Sequence, residues 1–218
     1  MNESNWHREP PPLKAYSRVT NPERFLPLHT LALALVDQLT ADYDVERTQA
    51  FALPPDMRPF EHARPPVTLT PLASEAAPIA IGFTTFPSLL VRCGRWFSDS
   101  FPSCGCDACG EDAAGEAERL EFLLSSVVAG NFREELSIPW FRDAKVRWAL
   151  GDGNMRAGRH GEGGRVVPRD QARALDSGGR RRVQWQPWPR RHGALVVAFH
   201  LTRDMLQTHN SVDDKRRA

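Results

Sequence analysis

Three of the four cysteines in this 218-residue chain fall within six residues, in Phe101-Pro102-Ser103-Cys104-Gly105-Cys106-Asp107-Ala108-Cys109-Gly110. A buried cysteine behaves as a small hydrophobe and gains nothing from neighbours of its own kind, so the clustering points to a shared ligand or a redox pairing. Cys106-x-x-Cys109 has the spacing of a zinc knuckle, in which two thiolates from one tight turn take two corners of a tetrahedron, and Cys104 offers a third. A structural zinc site needs a fourth donor. Cys93 is the nearest by sequence, with His160, His192 and Asp107 behind it. The same spacing also suits reduced thiols on a tight loop, or a disulfide or redox pair. A reactive nucleophile fits less well: Asp107, Glu111 and Asp112 oppose the lowering of thiol pKa that a helix N-terminus would provide.

The elements that must hold this loop are legible as periodic stretches. Asn21-Pro22 opens a helix, with Asn21 as cap and Pro22 at the first helical position. Phe25, Leu28, Ala32, Leu35 and Leu39 form its apolar stripe, widened by Leu31 and Val36, and the helix is expected to reach Tyr43. His29 falls off the main stripe, as a boundary residue. The proline-rich residues 51–66 read as a surface loop. Val67 to Leu72, Ile79 to Phe83 and Leu89 to Cys93 read as strands, with Cys93 on the face of Leu89 and Val91. That placement makes Cys93 equally well a packed core thiol. After the cysteines, residues 111–129 read as a second amphipathic helix on Ala113, Ala117, Leu120, Leu124 and Val127, stopped by Gly130. Two further strands are expected over 132–138 and 144–150, then a glycine-rich hairpin connection over 151–164 and a short helix over 168–175. The fold expected from this order is α+β: two long amphipathic helices packed on a mainly antiparallel sheet.

Charge is uneven along the chain. Residues 141–218 carry 17 Lys and Arg against 8 Asp and Glu, whereas the first 140 carry 11 against 19. Such polarity can mark a surface for an anionic partner, or draw the two halves together within one fold. The stretch Arg180 to Arg191 joins arginines to two indoles, so Arg181, Arg182, Trp185, Trp188, Arg190 and Arg191 are the best nucleic-acid candidates. Val183 and Trp185 also alternate like a strand closing a sheet, which would make the indoles core instead. The glycine-rich residues 151–156 lack the third glycine of a dinucleotide loop, and no Gly-Lys-Ser/Thr follows.

Hydrophobic residues at 41% and charged residues at 25% are ordinary globular values. The first residues lack an apolar signal core and no run of about 18 apolar residues occurs, so a cytoplasmic location is expected, without a secretory signal or membrane helix. Such a compartment is reducing, which favours free or metal-bound thiols. The domain expectation is a lead-in over 1–15, one α+β domain over 16–191 and a partly frayed extension over 192–218.

Together, Tyr16-Ser17-Arg18-Val19-Thr20-Asn21-Pro22-Glu23-Arg24-Phe25, Gly94-Arg95-Trp96, the Cys-Gly-Cys-Asp-Ala-Cys loop and Trp185-Gln186-Pro187-Trp188-Pro189-Arg190-Arg191 resemble an actinobacterial family catalogued as a domain of unknown function. The likeness spans about Tyr16 to Arg191. It implies one domain and a bacterial cytoplasm and brings no activity or cofactor. The expected function is therefore a non-catalytic cytoplasmic module, with a structural zinc on the cysteine loop and a basic half that meets a protein or nucleic acid. The rival is a zinc- or cysteine-dependent enzyme, which would need a base and an open coordination position; no His-x-x-x-His or Gly-x-Ser-x-Gly signature supplies either.

Overall fold

The prolines of the first helix decide its shape. In the computed structural model, which describes residues 12–50, 60–139, 143–151, 160–168 and 181–192, Pro22–Phe25 is a 3-10 turn and α1 starts after it, running Pro27–Asp42. Pro27 lacks the amide that would continue one helix from Asn21, and the Asn21 side chain makes no capping bond. The expected apolar stripe is fully buried. His29 belongs to it: its ring is 3% exposed, Nε2 lies 3.0 Å from Ser88 O, and Phe83 meets it edge-on at 5.3 Å. Burial lowers its pKa, against the Ser88 bond, with the Arg64 charge adding to the lowering.

The strands fall into two sheets, and this corrects the expected architecture of two long helices on one sheet. β1 (Val45–Thr48), β2 (His62–Pro71), β3 (Ile79–Thr84), β4 (Leu89–Cys93) and β5 (Phe97–Phe101) form a five-stranded antiparallel sheet in sequence order. After α2 (Ala113–Val128), strands β6 (Phe132–Ser137), β7 (Ala144–Gly151), β8 (His160–Val167) and β9 (Arg182–Gln184) form a second antiparallel sheet in the order β8-β7-β6-β9. The described chain is therefore mostly β, and each α-helix is 16 residues long. Period-two patterning fixes which face of a strand is buried and says nothing of which strand it pairs with, so strands before and after α2 read as one sheet.

Other differences have local causes. β2 begins at His62, inside the expected loop, because two register irregularities between His62 and Val67 take up Pro65-Pro66. Gly94 to Trp96 turn the chain back, so Phe97 to Phe101 is a further strand and a full partner of β4. β8 pairs with β7 from Gly151↔His160 to Ala144↔Val167, so residues 160–164 of the glycine-rich stretch are strand. The expected helix over 168–175 lies outside the described residues but for Pro168, the extension over 192–218 but for His192, and most of the 1–15 lead-in likewise.

The helices cover the sheets from one shared core. α1 contacts β1 and β2, α2 contacts β7 and α1, and β5 contacts β7. Buried side chains of both sheets and both helices make one cluster, from Phe25 and Leu35 through Phe83 and Phe97 to Phe132 and Val146. α2 is set at both ends by its sequence. Asp112 Oδ1 accepts the Gly115 N–H at 2.7 Å. At the other end the Gly130 N–H reaches Val127 O at 3.1 Å and the Asn131 N–H reaches Ser126 O at 2.9 Å, a Schellman closure with Gly130 at φ 75. Asp112→Ala is expected to cost about 1 kcal/mol in urea denaturation, the usual size of a lost N-cap.

The Trp-x-Pro-Trp-Pro stretch is a strap across this core. Gln186 N–H donates to Glu75 O, Trp188 N–H to Val128 O and Arg191 N–H to Asp42 O, each at 2.9 Å. Pro187 and Pro189 sit between these donors, where no amide is needed. Backbone bonds of the strap thus tie the β2–β3 connection, the end of α2 and the end of α1.

Candidate metal centre

Phe101 ends β5 fully buried, and a cis Phe101-Pro102 bond turns the chain out of the sheet into the cysteine loop. The loop must then return to the start of α2 at Asp112, and a carboxylate organises it. Glu111 accepts the backbone N–H groups of Ser103 at 3.2 Å, Cys104 at 3.1 Å and Gly105 at 2.6 Å. Gly105 has φ 76, and a Cβ there would stand 3.0 Å from the Phe86 ring, so only glycine suits both the backbone and the packing. Cys109 N–H donates to Cys106 O at 3.3 Å, closing the C-x-x-C turn.

The N-terminal segment grips the same loop from outside. Arg24 donates from Nη2 to Gly105 O at 2.9 Å and from Nε to Glu111 O at 3.3 Å. Asp107 N–H donates to Arg18 O, and Asp107 Oδ1 accepts the Thr20 N–H, both at 2.9 Å. The sequence shows Glu111 only as an acid near a helix start and Arg24 only as a polar residue on the approach to α1. Nothing in their local pattern signals a reach of 81 residues from Arg24 to Gly105.

These contacts bring Cys104, Cys106 and Cys109 together. Their Sγ atoms all lie within 4.8 Å of one another, with Cys106 and Cys109 at 3.3 Å. Tetrahedral zinc with Zn–S bonds near 2.3 Å spaces its sulfurs about 3.8 Å apart, so the triad fits such an ion with shifts of no more than about an ångström. Cys106 is 4% exposed, while Cys104 and Cys109 stand at the surface. The close pair titrates jointly. The Cys106 pKa is lowered, chiefly by its hydrogen bond with Cys109 and then by Cys104. That of Cys109 is pushed up to about 12 by hydrogen bonds with Cys106 and Cys104. Of the pair, Cys106 is thus the thiol that gives up its proton more easily and Cys109 the one that holds it, and a bound cation would draw off the second proton.

Of the expected fourth donors, Cys93 and Asp107 are engaged in other contacts. Cys93 lies fully buried on β4, paired with Ile79 and Phe97 in the core. Burial pushes its pKa well up, aided by Glu134 and Asp99 and opposed by Arg92, so it stays a neutral thiol. Asp107 is engaged with Thr20 and Arg18. His192 is exposed after the strap, and the His160 side chain lies outside the described residues. Among the described residues, the group within metal-holding reach is the three-cysteine cluster.

The indole-arginine stretch divides. Trp185 and Trp188 are 6% and 3% exposed, and their Nε1–H groups donate to Glu134 Oε1 at 3.0 Å and Ala77 O at 2.8 Å. They present no ring face to a base. Arg181, Arg182, Arg190 and Arg191 are exposed, with Arg182 near Glu135 at 3.8 Å and Arg191 near Asp44 at 3.8 Å. A surface groove of about 260 Å³ on the second sheet is lined by Arg133, Arg147, Arg182, Glu135, Glu162 and Trp148. Its Arg133–Glu162 pair at 3.3 Å and the Arg182–Glu135 pair offset much of its own charge.

Beside the cysteine loop, Arg119 gathers Glu116 at 2.8 Å, Asp99 at 3.4 Å, the Ser103 hydroxyl and Ser100 O. Glu116 has its pKa raised to about 7 by burial, against the pull of Arg119 and with a push from Glu111, Asp99 and Asp112. The folded chain therefore binds a proton there that the unfolded chain releases near pH 4.5, so folding is favoured as pH falls from about 7 to 4.5. In urea titrations at pH 5 and pH 8, the native chain is expected to gain more stability at pH 5 than Glu116→Gln does.

No helix among the described residues is long and apolar enough to cross a membrane. No curated protein and no solved structure matches the chain. The model of a family of unknown function (DUF6226) matches residues 2–192, and the chain belongs to that family.

Proposed function

We propose that the protein is a non-catalytic module of a reducing, cytoplasmic compartment, in which Cys104, Cys106 and Cys109 hold a zinc ion. The observation that carries this reading is the convergence of three sulfurs within 4.8 Å on a loop whose backbone is already tied down by Glu111, Arg24 and Asp107. Thiolates suit zinc above the harder divalent ions. The ion would fasten three parts of the chain at one point: the exit of β5, the start of α2 and the Arg18–Arg24 segment. A catalytic role has less support, since the nearest carboxylates, Glu111 and Asp107, already accept backbone N–H groups and are not free to act as bases.

Native mass spectrometry after zinc addition and desalting tests this. One retained ion per chain is expected, and none in a variant with Cys104, Cys106 and Cys109 all changed to serine. Equal zinc retention in both would end the reading.

A further inference from the structure

We infer that the fourth corner of this site is filled from outside, by the thiolate of a small thiol or of a partner's cysteine. The inference rests on the zinc reading above and adds what the metal binds. The sulfurs are asymmetric in depth: Cys106 is buried, whereas Cys104 and Cys109 are exposed. An ion held between them would have two of its three donors at the surface, within reach of a ligand from solvent. Among the described residues the other donors are committed: the Glu111 carboxylate accepts three backbone N–H groups, the Asp107 carboxylate accepts from the Thr20 N–H and hydroxyl and faces the Arg18 guanidinium, and Cys93 is sealed in the core.

Two arguments favour a thiolate over water in that position. Three thiolates leave Zn²⁺ with a net charge of −1 and little power to acidify bound water, while their softness favours a fourth soft donor. Guanidinium groups flank the loop: Arg24 is bonded to Gly105 O at 2.9 Å, and the Arg18 side chain, 65% exposed, lies 3.9 Å from Asp107. Asp107 and Glu111 take up part of that positive charge, and the exposed Arg18 head remains placed to offset some of the charge that a fourth thiolate brings. The step is ligand exchange without redox. The incoming thiol gives its proton to solvent, its sulfur bonds the metal, and a water leaves.

Cobalt(II) in place of zinc makes the coordination visible, because each cobalt–thiolate bond adds charge-transfer absorbance in the near ultraviolet. The full chain, kept reduced with a phosphine, is loaded with one cobalt and titrated with 2-mercaptoethanol, and separately with a short peptide holding one cysteine. The charge-transfer band is expected to rise by about a third, from three thiolates to four, with saturation. Tighter binding of the peptide than of the small thiol assigns the position to a protein partner, and the reverse to a metabolite thiol. A cobalt-loaded chain whose spectrum stays unchanged, or that loses its metal to the thiol, overturns the inference and leaves the zinc reading standing. A chain that takes up no cobalt and no zinc overturns both.

Discussion

Cys106→Ser is expected to abolish stoichiometric zinc binding and to lower the melting temperature of the zinc-saturated chain to that of the chelator-treated native protein. The magnitude follows from linkage: an ion at about a thousandfold excess over its Kd adds about 4 kcal/mol to folding, and in a domain of this size each 1 kcal/mol moves Tm by about 2–4 °C. A fall of about 8–16 °C in differential scanning calorimetry is therefore expected. Cys106 is the decisive position because it is the buried member, 3.3 Å from Cys109 and in the turn that Cys109 N–H closes on Cys106 O. A serine hydroxyl there is nearly isosteric and cannot supply a soft anionic donor. Cys93→Ala should leave zinc content unchanged while costing some core packing, since its side chain is fully buried in the core cluster. A chelator that shifts the native Tm and leaves the Cys106→Ser Tm untouched would separate metal loss from side-chain loss.

Glu134→Ala is expected to destabilise the chain by about 4 kcal/mol or more, with zinc binding retained by whatever fraction stays folded. Glu134 points from β6 into the core at 1% exposure and accepts four donors. These are the N–H groups of Arg95 at 2.6 Å, Trp96 at 2.8 Å and Phe97 at 3.0 Å, and the Trp185 indole at 3.0 Å. One carboxylate therefore satisfies the turn between β4 and β5 of the first sheet and the strap that follows β9 of the second. Each buried donor left without a partner costs about 1–3 kcal/mol, and alanine orphans the buried Trp96, Phe97 and Trp185 donors together with the half-buried Arg95 N–H. Burial pushes the Glu134 pKa up against those hydrogen bonds, which pull it down. Urea unfolding followed by tryptophan fluorescence measures the loss directly. An effect below about 1 kcal/mol, the scale of a single net hydrogen bond, would show that the sheets do not depend on this tie.

How much of this could be read from residues alone depends on the range of the interaction. The stripe from Phe25 to Leu39 and the Gly130 stop are local, and the structure buries the first and closes the second as a Schellman turn. The Cys-x-Cys-x-x-Cys spacing is local too, and it does bring its sulfurs together. What the sequence hides is set at long range. The alternation in Phe132–Ser137 signals a strand with one buried face and no more. That face carries Glu134, an acid that reads as a solvent residue until donors from β4, β5 and the strap surround it. The division into two sheets is invisible for the same reason: β6 finds β7 and β9, and not the first sheet. Trp185 and Trp188, beside arginines, look like a stacking surface, and only the strap's path over Ala77 and Glu134 makes them core. His29 misleads in the same way, since its partner Ser88 lies 59 residues on.

Whether three sulfurs share one cation is tested most directly by zinc K-edge X-ray absorption of the purified, zinc-loaded chain. The expected first shell is dominated by three or four sulfur scatterers at about 2.3 Å and collapses in Cys106→Ser. A shell of nitrogen and oxygen alone at about 2.0–2.2 Å would place the metal elsewhere and contradict a cysteine-held ion.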